Sequence, residues 1–91
     1  MKKTIKTHIL KLSYEYWNDV MSGMKSFELR KNDRDFQLGD LIIFQECHPM
    51  VEQFTPIRSK PFRIIYILKD VPQYGLKNGY AILGIIRDST L

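Results

Sequence analysis

The densest run of charge in the chain lies in Gly23-Met24-Lys25-Ser26-Phe27-Glu28-Leu29-Arg30-Lys31-Asn32-Asp33-Arg34-Asp35, and within it Lys25, Glu28 and Arg30 have the types and spacing to do chemistry. Arg30 and Lys25 offer donors for a phosphate or a base edge, while Glu28 can orient Arg30 or accept a hydrogen bond from an exocyclic amine. The alternative is an ion pair at the surface, worth about 0–1 kcal/mol and serving no ligand. Such pairs are common, so spacing alone favours the ion pair.

Other residues extend this set. Lys31 and Arg34 carry positive charge into the following turn, where Asp33 and Asp35 dilute it and Asn32 or Asp33 can bond its own backbone. A mixture of donors and acceptors suits a pocket better than a stripe that tracks phosphates. His8 shares parity with Leu10 and Leu12, which predicts a buried, hydrogen-bonded histidine, whereas Lys11 points the other way and can line a groove between strand and helix. Tyr74 and Tyr80 flank the last loop. Either can stack on a base, a contact worth about 1–3 kcal/mol, although core packing suits Tyr80 equally. Metal binding is not expected, since Cys47 and His48 are adjacent and no second cysteine accompanies them. Neighbours on a strand end also face opposite ways, so Cys47 and His48 make a poor nucleophile and base. No glycine-rich phosphate loop is present, and no cofactor is implied.

The elements that must position these residues follow from periodicity. Ser26 to Arg30 alternates polar and apolar, which predicts a strand with Phe27 and Leu29 entering a core and Glu28 and Arg30 projecting from the opposite face. Lys25 has the wrong parity, and it joins them only from a turn begun at Gly23. A first strand is predicted over Ile5 to Leu12. Ser13 then caps a helix with Glu15 in its first turn and a buried stripe of Trp17, Val20, Met21 and Met24, ended by Gly23. Leu41 to Glu46 is apolar on both faces and predicts an interior strand with one face under the helix. Glu46 to Pro61, with its prolines, predicts a long loop. Phe62 to Lys69 resumes as a strand with Phe62, Ile64, Tyr66 and Leu68 on one face; Asp70 to Asn78 is a second loop; Gly79 to Ile86 is a final apolar strand.

Ninety-one residues make one domain, expected over residues 1–91. No apolar run approaches the ~18 residues of a membrane span, so no membrane partner is expected. The charged start lacks a following cleavage site and Cys47 is the only cysteine, which together predict a cytoplasmic protein without an internal disulfide. A net charge of +4 suggests a polyanionic partner. Periodicity by itself implies an α+β fold with a mostly antiparallel sheet.

The spacing of Gly23, Lys25, Glu28 and Arg30 resembles the G-x-K-x-x-E-x-R signature of ASCH domains, a branch of the PUA-like β-barrels. The run from Phe27 to Asp40 is similar to the centre of the ASCH-like DUF3850 family of uncharacterised bacterial and phage proteins. So are His8 to Leu12, Tyr66 to Asp70, Tyr74 to Leu76 and Gly79 to Ile85. The loop departs from this pattern, with Phe54-Thr55-Pro56-Ile57-Arg58 where relatives carry a Tyr-Thr-Gly-Arg-like turn. The resemblance implies a small PUA-like barrel of about five to six mostly antiparallel strands with one main helix after the first strand. It also reverses the preference for the ion pair, and it implies an RNA or nucleotide recognition module. Its cleft between helix and barrel would be lined by Lys25, Glu28, Arg30 and Lys11, with Arg34, Tyr74 and His8 as further contacts. A rival from the same resemblance is a small amidohydrolase acting on an acylated nucleoside. Glu28 stands where those enzymes have a threonine hydroxyl, so Lys25 and Glu28 would have to supply the acid-base pair.

Overall fold

The computed structural model describes residues 4–49 and 57–89. Its elements are β1 (Thr7–Ser13), α1 (Tyr14–Met21), β2 (Phe27–Lys31), β3 (Leu41–Cys47), β4 (Phe62–Lys69) and β5 (Tyr80–Arg87), with a single 3₁₀ turn at Pro72–Tyr74. The strands form one sheet in the order β1-β3-β4-β5-β2. β1 pairs with β3 in parallel, and the other neighbours are antiparallel. No helix among the described residues is long and apolar enough to cross a membrane.

The α+β class and the helix after the first strand agree with expectation, but the sheet is not closed into a barrel. β1 and β2 are its two edges. They nevertheless approach each other closely enough for side chains to span the gap: Arg30 Nη2 of β2 donates to the Lys11 carbonyl of β1, and Arg34 Nη1 donates to the Ile9 carbonyl at 3.2 Å. Those carbonyls are free because Lys6, one residue out of phase, already accepts from Leu41 of β3, and strand carbonyls alternate in direction. The sheet therefore curls, and guanidinium groups stand where a backbone ladder would complete a barrel.

The helix starts where its cap is. Ser13 Oγ accepts from the Glu15 N–H, and Val20 is buried with Trp17 and Met21 packed around it. At the other end Gly23 takes φ +84°, a left-handed conformation natural to glycine, and its N–H reaches the Val20 carbonyl. The predicted stripe stops there, because Met24 lies beyond the turn and is 84% exposed. One core holds Leu10 and Leu12 of β1, Val20, Ile42 and Phe44 of β3, Phe62 and Ile64 of β4, and Ala81, Leu83 and Ile85 of β5, with Phe36 from the β2–β3 connection. β3 is thus deeply buried on one face only, with Leu41 and Ile43 half-buried on the other.

Two strands depart from simple alternation. In β4 the pairing with β5 passes from Ile64↔Ile85 to Tyr66↔Gly84, so Ile65 is an extra residue that inverts the parity beyond it. Phe62 and Ile64 face the core, Tyr66 turns outward at 62% exposure, and Ile67 takes the inward place. Gly84 makes room for this bulge: a Cβ there would sit 3.1 Å from Tyr66 Cβ. The predicted loop between β3 and β4 is described only in part, with residues 50–56, including Phe54 to Pro56, outside the described residues. Its end is tied to β3, since Ser59 N–H donates to the Phe44 carbonyl and Glu46 N–H to the Ile57 carbonyl.

Asp40 fastens β1 to the entry of β3. It is almost fully buried and accepts from the Lys6 N–H at 3.2 Å, the Gln37 N–H at 3.1 Å and the His8 ring, whose Nε2 lies 2.8 Å away. His8 is buried as its parity predicted, edge-on to Phe36. Burial pushes the Asp40 carboxyl pKa up, but the hydrogen bonds from His8, Lys6 and Gln37 together outweigh it and hold the group below its ordinary value of 3.8. A depressed folded-state pKa means that the stability contributed is present above the unfolded value and is lost as pH falls through the folded one. Asp40→Asn is therefore expected to cost about 1–3 kcal/mol near neutral pH and to flatten the acid limb below about pH 4. Thermal denaturation across pH reads both effects, and superimposable acid limbs for wild type and variant would exclude Asp40 from the acid transition.

Candidate functional site

β2 presents its polar face to the interior. Glu28 and Arg30 pair with Leu83 and Ala81 of β5, two fully buried core residues, so all four side chains share the inner face. Glu28 is only 4% exposed, whereas Phe27 and Leu29 stand outside at about half exposure. This inverts the expected burial of Phe27 and Leu29. Among the described residues, β2 adds no apolar side chain to the core.

The inversion is possible because both Glu28 oxygens are neutralised. Lys25 Nζ lies 2.9 Å from Oε1, and Arg30 Nε lies 2.8 Å from Oε2. A buried carboxylate is tolerated when paired and fully hydrogen-bonded. Lys25 reaches it from the turn after Gly23, where its N–H is held by the Asp19 carbonyl and its ammonium also donates to the Phe27 carbonyl at 3.0 Å. The ammonium lies 4.7 Å from the centre of the Phe27 ring and 5.4 Å from that of Tyr16, so two aromatic faces flank it.

A cleft of about 480 Å³ opens at this cluster, between the end of β1, the start of α1 and β2. Lys11, Lys25, Arg30 and Lys31 line it with Glu28, four cations against one carboxylate. Ser13 and Tyr16 add hydroxyl groups, and Phe27 and Leu29 add apolar walls. After serving Glu28 and the Lys11 carbonyl, Arg30 retains N–H donors, and the Lys25 ammonium retains one of its three.

Of the residues singled out in the sequence, Lys25, Glu28, Arg30 and Lys11 meet in this cleft. Arg34, His8 and Tyr74 do not line it. Arg34 is engaged at the Ile9 carbonyl, His8 at Asp40, and Tyr74 is 82% exposed on the 3₁₀ turn. Tyr16 and Phe27 are the functional candidates that sequence reasoning missed. Tyr16 sits next to Trp17 at the border of the helix stripe, and Phe27 was assigned to the core by parity. A usable signal was the composition of the site itself, since one carboxylate with two cations in reach can be buried and can turn its strand over. Among the described residues no group of three or more His, Cys, Asp and Glu side chains could hold a metal ion.

Comparison with known proteins gives a match over residues 7–85 to a family described as a domain of unknown function, DUF3850. The chain belongs to the DUF3850 family. It is also similar to an uncharacterised 12.9 kDa protein encoded in the GpA 3′ region of Escherichia phage P2, with 42% identity over 41 residues. That segment covers 45% of this chain and 38% of the phage protein. The DUF3850 match begins at the first residue of β1 and ends within β5, so it takes in four strands whole, most of the fifth, and every residue lining the cleft.

If Lys25 and Glu28 act as one unit, their effects on stability are not additive. Glu28→Gln is expected to cost about 1–3 kcal/mol, Lys25→Met less, and a double-mutant cycle to return a coupling of about 0.5–3 kcal/mol. Chemical denaturation measures all three, and strictly additive losses would show that the pair does not hold β2 in place.

Proposed function

We propose that this DUF3850 protein is an RNA-recognition module of ASCH, PUA-like type that binds single-stranded or looped RNA in the cleft between α1, β1 and β2. The observation that carries this reading is the excess of cations over carboxylates in a cleft that also holds aromatic rings. Glu28 is neutralised within the protein, so the remaining charge of Lys11, Lys25, Arg30 and Lys31 is available to a polyanion. Tyr16 and Phe27 offer exposed ring faces beside that charge, which is the combination used to bind unpaired nucleotides. The cleft volume lies within the range of sites for small ligands and suits one or two nucleotides better than a duplex. The PUA-like resemblance supports the same partner by fold-level analogy.

The hydrolase reading draws its base from Glu28. Both oxygens of that carboxylate are engaged by cations, so it would have to release Lys25 or Arg30 before it could activate water. Binding requires no such rearrangement.

The test separates ligand contact from structural support. Lys11 and Tyr16 line the cleft, and Lys11 meets the Glu28 cluster only through its backbone carbonyl, which accepts from Arg30, so both side chains can be changed without removing an ion pair. Fluorescence anisotropy with a labelled single-stranded oligoribonucleotide is expected to show binding that weakens steeply with salt. Tyr16→Ala should weaken it by about 5- to 150-fold, and Lys11→Ala should weaken it while reducing the salt slope by about one. Folded wild type that does not bind RNA at low salt, or binding indifferent to both substitutions, would overturn the reading.

A further inference from the structure

The cleft does not end at the inner face. Phe27, Leu29 and Lys31 line it and also form the outward row of β2, and Leu29 is shared with a second, shallower hollow of about 240 Å³. That hollow lies beside the outward row of β2 and is lined by Leu29, Gly75, Leu76, Lys77 and Tyr80. Its volume is below the usual range for an independent small-molecule site. Tyr80 is directly opposite Lys31 in the β2–β5 register, which puts the ring and the ammonium on one face. Glu28 is the single carboxylate lining either hollow among the described residues, and Lys25 and Arg30 already neutralise it, so the two hollows carry lysine charge without opposing acid in their walls.

Building on the RNA reading of the cleft, we propose that this outer track, from Phe27 over Leu29 to Lys31, Lys77 and Tyr80, carries the nucleotides of a single strand that follow those held in the cleft. Tyr80 stacks on a base seated in the second hollow, and Lys31 and Lys77 neutralise the phosphates on either side of it. Two features favour an RNA strand over a protein partner here: the lysines flanking the ring, and the continuity of the track with the cationic cleft through Leu29. A second copy of the chain would bring like charges together across this face.

The consequence is a dependence of affinity on length. Wild type is expected to bind an octauridylate at least about tenfold more tightly than a diuridylate, since the longer strand gains a stacked base at Tyr80. Tyr80→Ala should remove that advantage while leaving diuridylate binding unchanged, Tyr80→Phe should restore it, and Lys77→Ala should lessen its salt dependence. Circular dichroism confirms that each variant is folded. Equal affinity of wild type for the two lengths, or an equal loss for both on Tyr80→Ala, overturns the track and leaves the cleft reading standing. Absence of binding at either length overturns the cleft reading as well. Length-independent binding together with a dimer dissolved by Tyr66→Ala would assign the outer face to a second copy and overturn the proposal.

Discussion

The structure turns on one buried carboxylate. Glu28 occupies an interior position of an edge strand, where an unpaired charge would cost several kcal/mol, and it is stable there because Lys25 and Arg30 each hold one oxygen. Replacing such a cluster with apolar residues often costs nothing in stability, so its effect is better described as specification. A slip of one residue in the β2–β5 register would drive Phe27 and Leu29 inward and carry Glu28 and Arg30 outside together, parting Arg30 from the Lys11 carbonyl. The three-residue cluster opposes that slip. It thereby decides which face of β2 lines the cleft and which carries the apolar row.

The same residues determine how the sheet ends. An open sheet with two free edges invites pairing with another chain. Here Arg30 and Arg34 occupy carbonyls of β1 that such a strand would need, so the two edges shield each other. Arg30 therefore has three connections at once: to Glu28 on its own strand, to β1 across the gap, and to the cleft with its remaining donors. A ligand anion at Arg30 would act on all of them, which links occupancy of the cleft to the closeness of the two edges.

Much of the fold was legible where local chemistry and burial agree. Ser13 as a cap, the helix stripe through Val20, the left-handed Gly23 and the burial of His8 all follow from residue type and spacing. Alternation misled where a tertiary interaction overrode it. In β2 the polar residues go inward because their charges cancel within the cluster, and hydropathy cannot register a cancellation among Lys25, Glu28 and Arg30. In β4 the pattern Phe62, Ile64, Tyr66, Leu68 looked continuous, but the bulge at Ile65 is imposed by the partner strand and its Gly84. Of the candidate site, the charged members were legible by composition. Its aromatic members were not, since Tyr16 lies at the border of the helix stripe beside Trp17 and Phe27 has the parity of a core residue.

The order of the strands in the sheet has a consequence for how the chain comes to fold. β2 precedes β3 and β4 in sequence yet pairs only with β5, the last strand, across more than fifty intervening residues in the Phe27↔Gly84 pair. Closing so long a loop costs entropy that is recovered only when the distant partner arrives. During synthesis on the ribosome, the helix and the parallel β1–β3 pair can form while β2 is still waiting. The Glu28 cluster then gains its buried setting only after the C-terminal strand has emerged, and the cleft is among the last features of the molecule to exist.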